Sequence, residues 1–177
     1  MIELLVVIGI IAGKKGWLYK AERVINWCVR CQTSLSDLEF EYQEAEGVLY
    51  YIRYPFADGS GSVSVATVRP ETMLGDSAVA VNPKDARYKN FVGKKVMLPI
   101  QNREIPIIAD DAVEQEFGTG AVKVTPAHDF TDADMGERHK LPLYKIIDER
   151  GKMTKEAGAI CEGLKIAECR DRVVAEL

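Results

Sequence analysis

The chain has 177 residues, with 23 Lys and Arg against 27 Asp and Glu and a formal net charge of −4. That length can bury one main core, and the composition is that of an ordinary globular domain. A net acidic chain grips a nucleic-acid backbone poorly, which excludes tight nucleic-acid binding by this chain unaided.

Valine, isoleucine and tyrosine fall in short runs punctuated by glycine and proline, the pattern of a strand-rich α/β mixture rather than a helical bundle. Residues 1–12, MIELLVVIGIIA, are apolar from Leu4 onward. They are shorter than the roughly 20 residues a bilayer span takes, and they lack the basic start and cleavage site of a secretory signal. The words IELLVVIGIIA resemble the N-terminal segment of type IV pilins, but the glycine-phenylalanine processing site of that family is absent and nothing downstream is pilin-like. A membrane or pilus anchor is therefore not expected.

Cys28 and Cys31 form a C-x-x-C, whereas Cys161 and Cys169 have no such spacing. Half a zinc site, plain reduced thiols and a redox pair all remain open for Cys28 and Cys31. A structural zinc normally takes four ligands, and no convincing second pair is present. Glu39, Glu41 and Gln43 alternate with Phe40 and Tyr42, which suggests a strand leaving the cysteine turn.

Residues 47–54, GVLYYIRY, read as a strand stopped by Pro55. The turn Asp58-Gly59-Ser60-Gly61 makes it a hairpin with residues 62–69. Period two puts Val63, Val65, Thr67 and Arg69 on one face of that second strand. Pro70 then breaks the strand. Thr67 and Arg69 could hold a phosphate or a carbonyl there, or form an edge pair in solvent. Strands follow at 78–81, 96–99 and 103–109, the last with Pro106 inside it and so placed at an edge or bulge. Asp110-Asp111 reads as a solvated acidic turn. A strand at 143–147 and an amphipathic helix over 163–177, with Leu164, Ala167, Val174 and Leu177 along its apolar stripe, complete the chain.

The stretch at 117–139, FGTGAVKVTPAHDFTDADMGERH, carries the most chemistry. It reads as a glycine turn, a strand at 121–125, a proline break and a helix start. Val122 and Val124 point to the core, so Lys123 and Thr125 face a cleft or solvent. Asp129 or Thr131 can cap the helix. Asp129 and Asp132 can share one side of its first turn, where the positive helix end keeps a carboxylate ionised. The result is either a pocket for a small molecule carrying an ammonium and a hydroxyl, or simply a capped helix after an amphipathic strand. His128 reads as a structural hydrogen bond at the strand-to-helix turn, with a base role as the alternative.

ATVRPETMLGDSAVAV and FGTGAVKVTPAHDFTDADMGERH closely resemble the editing domain inserted in the catalytic domain of valyl-tRNA synthetase, a class I aminoacyl-tRNA synthetase. The likeness extends from about Lys14 to the C-terminus. NWCVRCQTSLSDLE and LYYIRYPFADGSGS resemble the linker into the insertion, and EAGAICEGLKIAECRDRVVAEL the linker out of it. Leucyl and isoleucyl relatives share part of these motifs. RPETMLGD, REIPIIADD and KVTPAHDF together look valyl.

The resemblance implies a β-rich α/β fold: a barrel-like editing domain with short peripheral helices and a β-ribbon linker whose ends lie side by side. Residues 1–13 would be an apolar segment of separate origin, 14–46 the entry linker, 47–150 the editing domain and 151–177 the return linker and helix. Residues 39–42 would then pair near 151–160. The implied activity is hydrolysis of threonine from mischarged tRNA(Val), without aminoacylation, because the HIGH and KMSKS motifs are absent. A hydrophobic pocket cannot strongly reject an isostere that adds a hydroxyl, and valyl-tRNA synthetase with threonine is the standard instance of that limit.

By the same resemblance Lys123, Thr125 and Asp129 read the threonine hydroxyl and Asp132 holds the α-ammonium. Thr67 and Arg69 lie by the ester and terminal adenosine, and Phe117 lines the adenosine side. Asp132, Thr67 and Arg69 are the expected catalytic positions. Many relatives carry a second threonine where this chain has Val68, which is expected to point away from the site. No cofactor is expected for hydrolysis, and zinc at Cys28 and Cys31 would be incomplete. The implied partner is the aminoacyl 3′ end of tRNA(Val), the expected location the cytoplasm. The alternatives are an inactive fragment that only binds the aminoacyl-adenosine end, or leucyl or isoleucyl specificity.

Overall fold

The computed structural model describes residues 14–15, 23–36, 38–39, 41, 43 and 46–177. The apolar segment at 1–13 lies outside the described residues. A short antiparallel hairpin, β1 (Trp27–Cys28) with β2 (Thr33–Ser34), carries the C-x-x-C turn. A longer hairpin pairs β3 (Tyr50–Pro55) with β4 (Ser62–Thr67) around the expected glycine turn. A four-stranded sheet then forms from β5 (Ala78–Val81), β6 (Lys95–Leu98), β7 (Arg103–Ala109) and β8 (Ala121–Val124), in the order β6-β7-β5-β8. Strands β5 and β7 run parallel, and the other two pairs are antiparallel. The helices α1 (Phe130–His139) and α2 (Ile166–Glu176) lie outside the sheets, and a 3-10 turn spans Pro70–Gly75.

The fold is β-rich with short helices, as expected; among the described residues the sheets do not close into a barrel. One bridge, Phe56 to Val96, links the β3–β4 hairpin to β6. Strand β5 is buried along its whole length, so it reads as a continuous apolar run. Its Val79 and Val81 enter the main core with Tyr54, Val63, Val65 and Leu98. Ala78 and Ala80 face a smaller cluster with Val124 and Met135 beneath α1. These small residues let the helix lie close to the sheet.

Several sequence expectations fail for identifiable reasons. Pro106 sits in the interior strand β7 rather than at an edge. The β5 ladder begins only at Ile107, so the missing N–H of Pro106 interrupts nothing. Residues 143–147 form no strand beyond an isolated bridge from Ile147 to Met153. Their backbone is occupied elsewhere: Ile146 N–H donates to His128. Asp110 is not solvated. It is 7 % exposed and accepts a bidentate pair from Arg138, Nε at 3.1 Å and Nη2 at 2.9 Å, with His139 Nε2 at 2.9 Å. Burial pushes the Asp110 carboxyl up, but the hydrogen bonds from Arg138, Ala112 N–H and His139 outweigh it and hold it at about 2.

In α2 the buried positions are Cys169 and Val173, while Val174 and Leu177 are exposed. Cys169 joins Cys161 in a disulfide, which the spacing did not suggest. Glu39 and Glu41 lie in no strand and do not pair with 151–160; Phe40 and Tyr42 lie outside the described residues. Instead Trp27 Nε1 donates to Glu149 O at 2.8 Å and Val29 packs on Gly151, so the cysteine hairpin rests against the 148–151 turn.

Candidate functional site

A cleft of about 190 Å³ opens between the end of β4, the 3-10 turn, the end of β8 and the start of α1. Thr67, Arg69, Phe117, Lys123, Thr125, Asp129 and Asp132 all line it. Two close approaches bring these segments together. Gly118 has φ +58, and a Cβ there would lie 2.4 Å from Ala66 Cβ. Only glycine fits both the conformation and the gap, and this carries Phe117 to the side of Thr67. At Gly136 an added Cβ would lie 2.7 Å from Pro126 Cβ.

Gly136→Ala should therefore destabilise the protein. Overpacking costs about 1–3 kcal/mol, against roughly 1 kcal/mol gained in helix propensity. The same substitution should move Asp132 off Thr125. Urea unfolding measures the balance, and a stabilised variant would contradict the packing described.

Asp129, not Thr131, is the N-cap of α1, its side chain accepting Asp132 N–H at 3.1 Å. Asp132 in turn accepts the Thr125 N–H at 2.8 Å, which satisfies the backbone where β8 ends. Burial raises the Asp132 carboxyl to about 6; the Asp129 and Asp76 charges add to the rise, and the Thr125 N–H and the Lys123 charge oppose it. The expectation that the helix start would favour ionisation there is overturned, because desolvation exceeds the helix-end effect.

Lys123 is 8 % exposed and Thr125 1 %. Both lean on Asp76, a fully buried carboxylate at the end of the 3-10 turn. Thr125 Oγ1 donates to Asp76 Oδ1 at 2.6 Å. Lys123 Nζ donates to Thr125 Oγ1 at 2.6 Å and lies 3.4 Å from Asp76 Oδ1. Tyr54 donates its hydroxyl to Asp76 Oδ2 at 2.7 Å. Burial, with the Asp76 charge beside it, pushes the Tyr54 hydroxyl well above its ordinary value, so it remains a donor. Burial likewise raises the Asp76 carboxyl, against the Lys123 charge and the three hydrogen bonds. Sequence reasoning missed Asp76 and Tyr54. The available signal was the buried lysine, which needs an opposite charge.

Thr67 is 8 % exposed and accepts the Arg69 N–H at 3.1 Å. The Arg69 side chain donates to His128 O at 3.2 Å and lies 3.8 Å from Glu71. Glu71 was also missed. It is fully buried and accepts a bidentate pair from Arg170 of α2 at 2.8 and 2.9 Å. Val68 does not point away: β4 ends at Thr67, the alternation stops, and Val68 lines the cleft half exposed. His128 Nε2 accepts Ile146 N–H at 3.0 Å, the structural role. Burial, then the Arg69 and Lys123 charges, lower its imidazole to about 4.

The two thiols of the C-x-x-C stand apart from the cleft. Cys31 N–H donates to Cys28 Sγ at 3.3 Å, and hydrogen bonds from Cys31 lower the Cys28 thiol. Among the described residues there is no group of three or more His, Cys, Asp or Glu that could hold a metal ion. Among the same residues no helix is long and apolar enough to cross a membrane.

Residues 84–167 match the family model described as leucyl-tRNA synthetase, editing domain. The chain is 57 % identical over 164 residues to a valine–tRNA ligase of Dehalococcoides mccartyi, a match covering 93 % of this chain and 18 % of the relative. It is 53 % identical to the valine–tRNA ligases of Staphylococcus carnosus and Carboxydothermus hydrogenoformans, over 92 % and 93 % of its length. The chain thus spans about a fifth of these curated relatives. In fold it is similar to the Agrobacterium radiobacter K84 agnB2 LeuRS, solved as a ternary complex with tRNA and LeuAMS. The TM-score is 0.58 at 20 % identity, covering 71 % of this chain and 18 % of that one.

Proposed function

The chain belongs to the editing domains of the valyl-tRNA synthetase family, and from that premise we propose that its cleft hydrolyses the ester joining threonine to the terminal ribose of tRNA(Val). The observation that carries this reading is a buried ammonium and a buried hydroxyl, Lys123 and Thr125, in one cleft with the carboxylates of Asp129 and Asp132. A threonine side chain offers a hydroxyl to the first pair. Its α-ammonium is matched by Asp132. Valine offers only a methyl where the hydroxyl should go, and so leaves buried polar groups unpaired.

In this reading Thr67 and Arg69 flank the ester and the terminal adenosine, and Phe117, 49 % exposed, supplies a face for the base. A covalent route through His128 is disfavoured, because its Nε2 already accepts a backbone N–H. Water held beside the ester, polarised by hydrogen bonds and aided by a ribose hydroxyl of the substrate, attacks the carbonyl carbon; the ribose oxygen leaves and takes up a proton. No cofactor enters that step, and neither Cys28 nor Cys31 has a part in it. The chain does not itself activate valine or charge tRNA. Its partner is the aminoacyl 3′ end of tRNA(Val), and its place is the cytoplasm, where tRNA is charged.

The test is loss of amino acid from tRNA(Val) carrying threonine or valine, mixed separately with the purified chain. The threonyl ester should be lost at least about 100-fold faster, the difference expected of two hydrogen bonds. Equal rates would exclude threonine selectivity. Binding without any loss of amino acid would leave a fragment that only holds the aminoacyl-adenosine end.

A further inference from the structure

We propose that Asp76, which lies behind the cleft and does not line it, is a positioning residue that sets the direction of hydrogen bonding at Lys123 and Thr125 and so makes the cleft selective for a hydroxyl-bearing side chain. The proposal rests on the editing function above. Its basis is a chain of forced donors. A lysine ammonium has protons and no acceptor. The short contact between Lys123 Nζ and Thr125 Oγ1, 2.6 Å, can therefore run only from nitrogen to oxygen. The Thr125 proton must then go elsewhere, and Asp76 Oδ1, also at 2.6 Å, takes it. Tyr54 donates to the other carboxylate oxygen, Oδ2, and so takes nothing from Oδ1, the oxygen that receives both Thr125 and Lys123.

The consequence appears in the cleft. Thr125 Oγ1 has given its proton inward and accepted one from Lys123, which leaves one lone pair. Lys123 has spent protons on Thr125 and Asp76, which leaves one. Both side chains line the cleft. An incoming hydroxyl can accept from Lys123 and donate to Thr125 at once. A methyl in its place satisfies neither. The remaining lone pair and the remaining proton are both offered outward because Asp76 absorbs the other bonds. Without its charge, Lys123 is a buried ammonium with no counter-ion behind it, and the Thr125 hydroxyl is free to turn its proton into the cleft.

The experiment uses the whole chain and two hydrolysis-resistant probes, adenosines bearing threonine or valine through a 3′ amide, with affinities measured by calorimetry. The wild-type protein should prefer the threonyl probe. Asp76→Asn should lower threonyl affinity about tenfold, the scale of one net hydrogen bond, and leave valyl affinity unchanged. Tyr54→Phe, which damages the buried network on the side away from the cleft, should keep the wild-type preference. Full preference in Asp76→Asn, equal weakening of both probes, or the same loss in Tyr54→Phe would each overturn the positioning role while leaving the editing reading intact. A wild-type protein without preference would sink the editing reading, and this proposal with it. Should Asp76→Asn not fold, proton NMR of the wild type decides: the Thr125 hydroxyl proton must exchange slowly with solvent, and a fast-exchanging one overturns the assignment.

Discussion

Replacing Asp132 with Asn should abolish threonyl-ester hydrolysis and, in the same protein, raise the melting temperature at neutral pH. The two effects share one cause. Burial lifts the carboxyl from its ordinary 3.8 to about 6. Holding it ionised at pH 7.5 therefore costs the folded state about 3 kcal/mol. An asparagine oxygen can still accept the Thr125 N–H, so the variant should recover about 1–2 kcal/mol of that cost. It loses the charge that holds an ammonium, which should lower kcat/KM at least about 100-fold.

The sign with pH follows from the same shift. Between about 6 and 4 the folded protein takes up a proton that the unfolded chain does not, so this group makes the protein more stable as pH falls. Activity moves the other way. The acid limb of kcat/KM reports the free protein's carboxyl, so activity should fall tenfold per pH unit below about 6. Melts at pH 5 and 7.5 with a pH–rate profile would check both. An Asn variant that melts lower than wild type at pH 7.5 would show that Asp132 supports the fold rather than straining it.

The second large effect is expected at a distance from the substrate. Arg170→Met removes the bidentate partner of Glu71, whose side chain is fully buried. Orphaning a buried carboxylate costs about 3–5 kcal/mol; with Arg170 itself 40 % exposed, the lower end is expected. Arg69, 3.8 Å from Glu71, is then drawn toward it and away from His128 O, so hydrolysis should fall as well. The double variant Glu71→Gln/Arg170→Met should regain most of the stability, because the charge is removed with its partner. A double variant as unstable as the single one would assign the loss to packing of the arginine stem instead.

The residues of the cleft were legible because they cluster in two short words of sequence, ATVRPET and FGTGAVKVTPAHDFTDAD, and because period two sets Lys123 and Thr125 apart from the buried Val124 between them; Val122, expected in the core, is only partly buried and lines the cleft too. What supports them was not legible. Asp76 is 47 residues from Lys123, and Arg170 is 99 from Glu71. Nothing local marks either carboxylate as buried. The shift of Asp132 was misjudged for the same reason: a helix start can be read from sequence, but the depth of its first turn cannot. The strand expected at 143–147 failed because tertiary hydrogen bonds claimed its backbone. The stripe on α2 was misplaced because it was drawn through Val174 and Leu177, while Cys169 faces the core.

The Glu71 to Arg170 pair also orders events in time. Glu71 leaves the ribosome 99 residues before the arginine that neutralises it. At roughly 5–20 residues per second that interval is about 5–20 seconds. Through it, Glu71 has Arg69 3.8 Å away but lacks the bidentate hydrogen bonds that meet its carboxylate in the fully buried Pro70–Gly75 turn. The cleft lip formed by Arg69 and the turn behind it is thus completed only once α2 has been made. A nascent chain that has already paired β3 with β4 must wait for α2 before the lip of its cleft is complete.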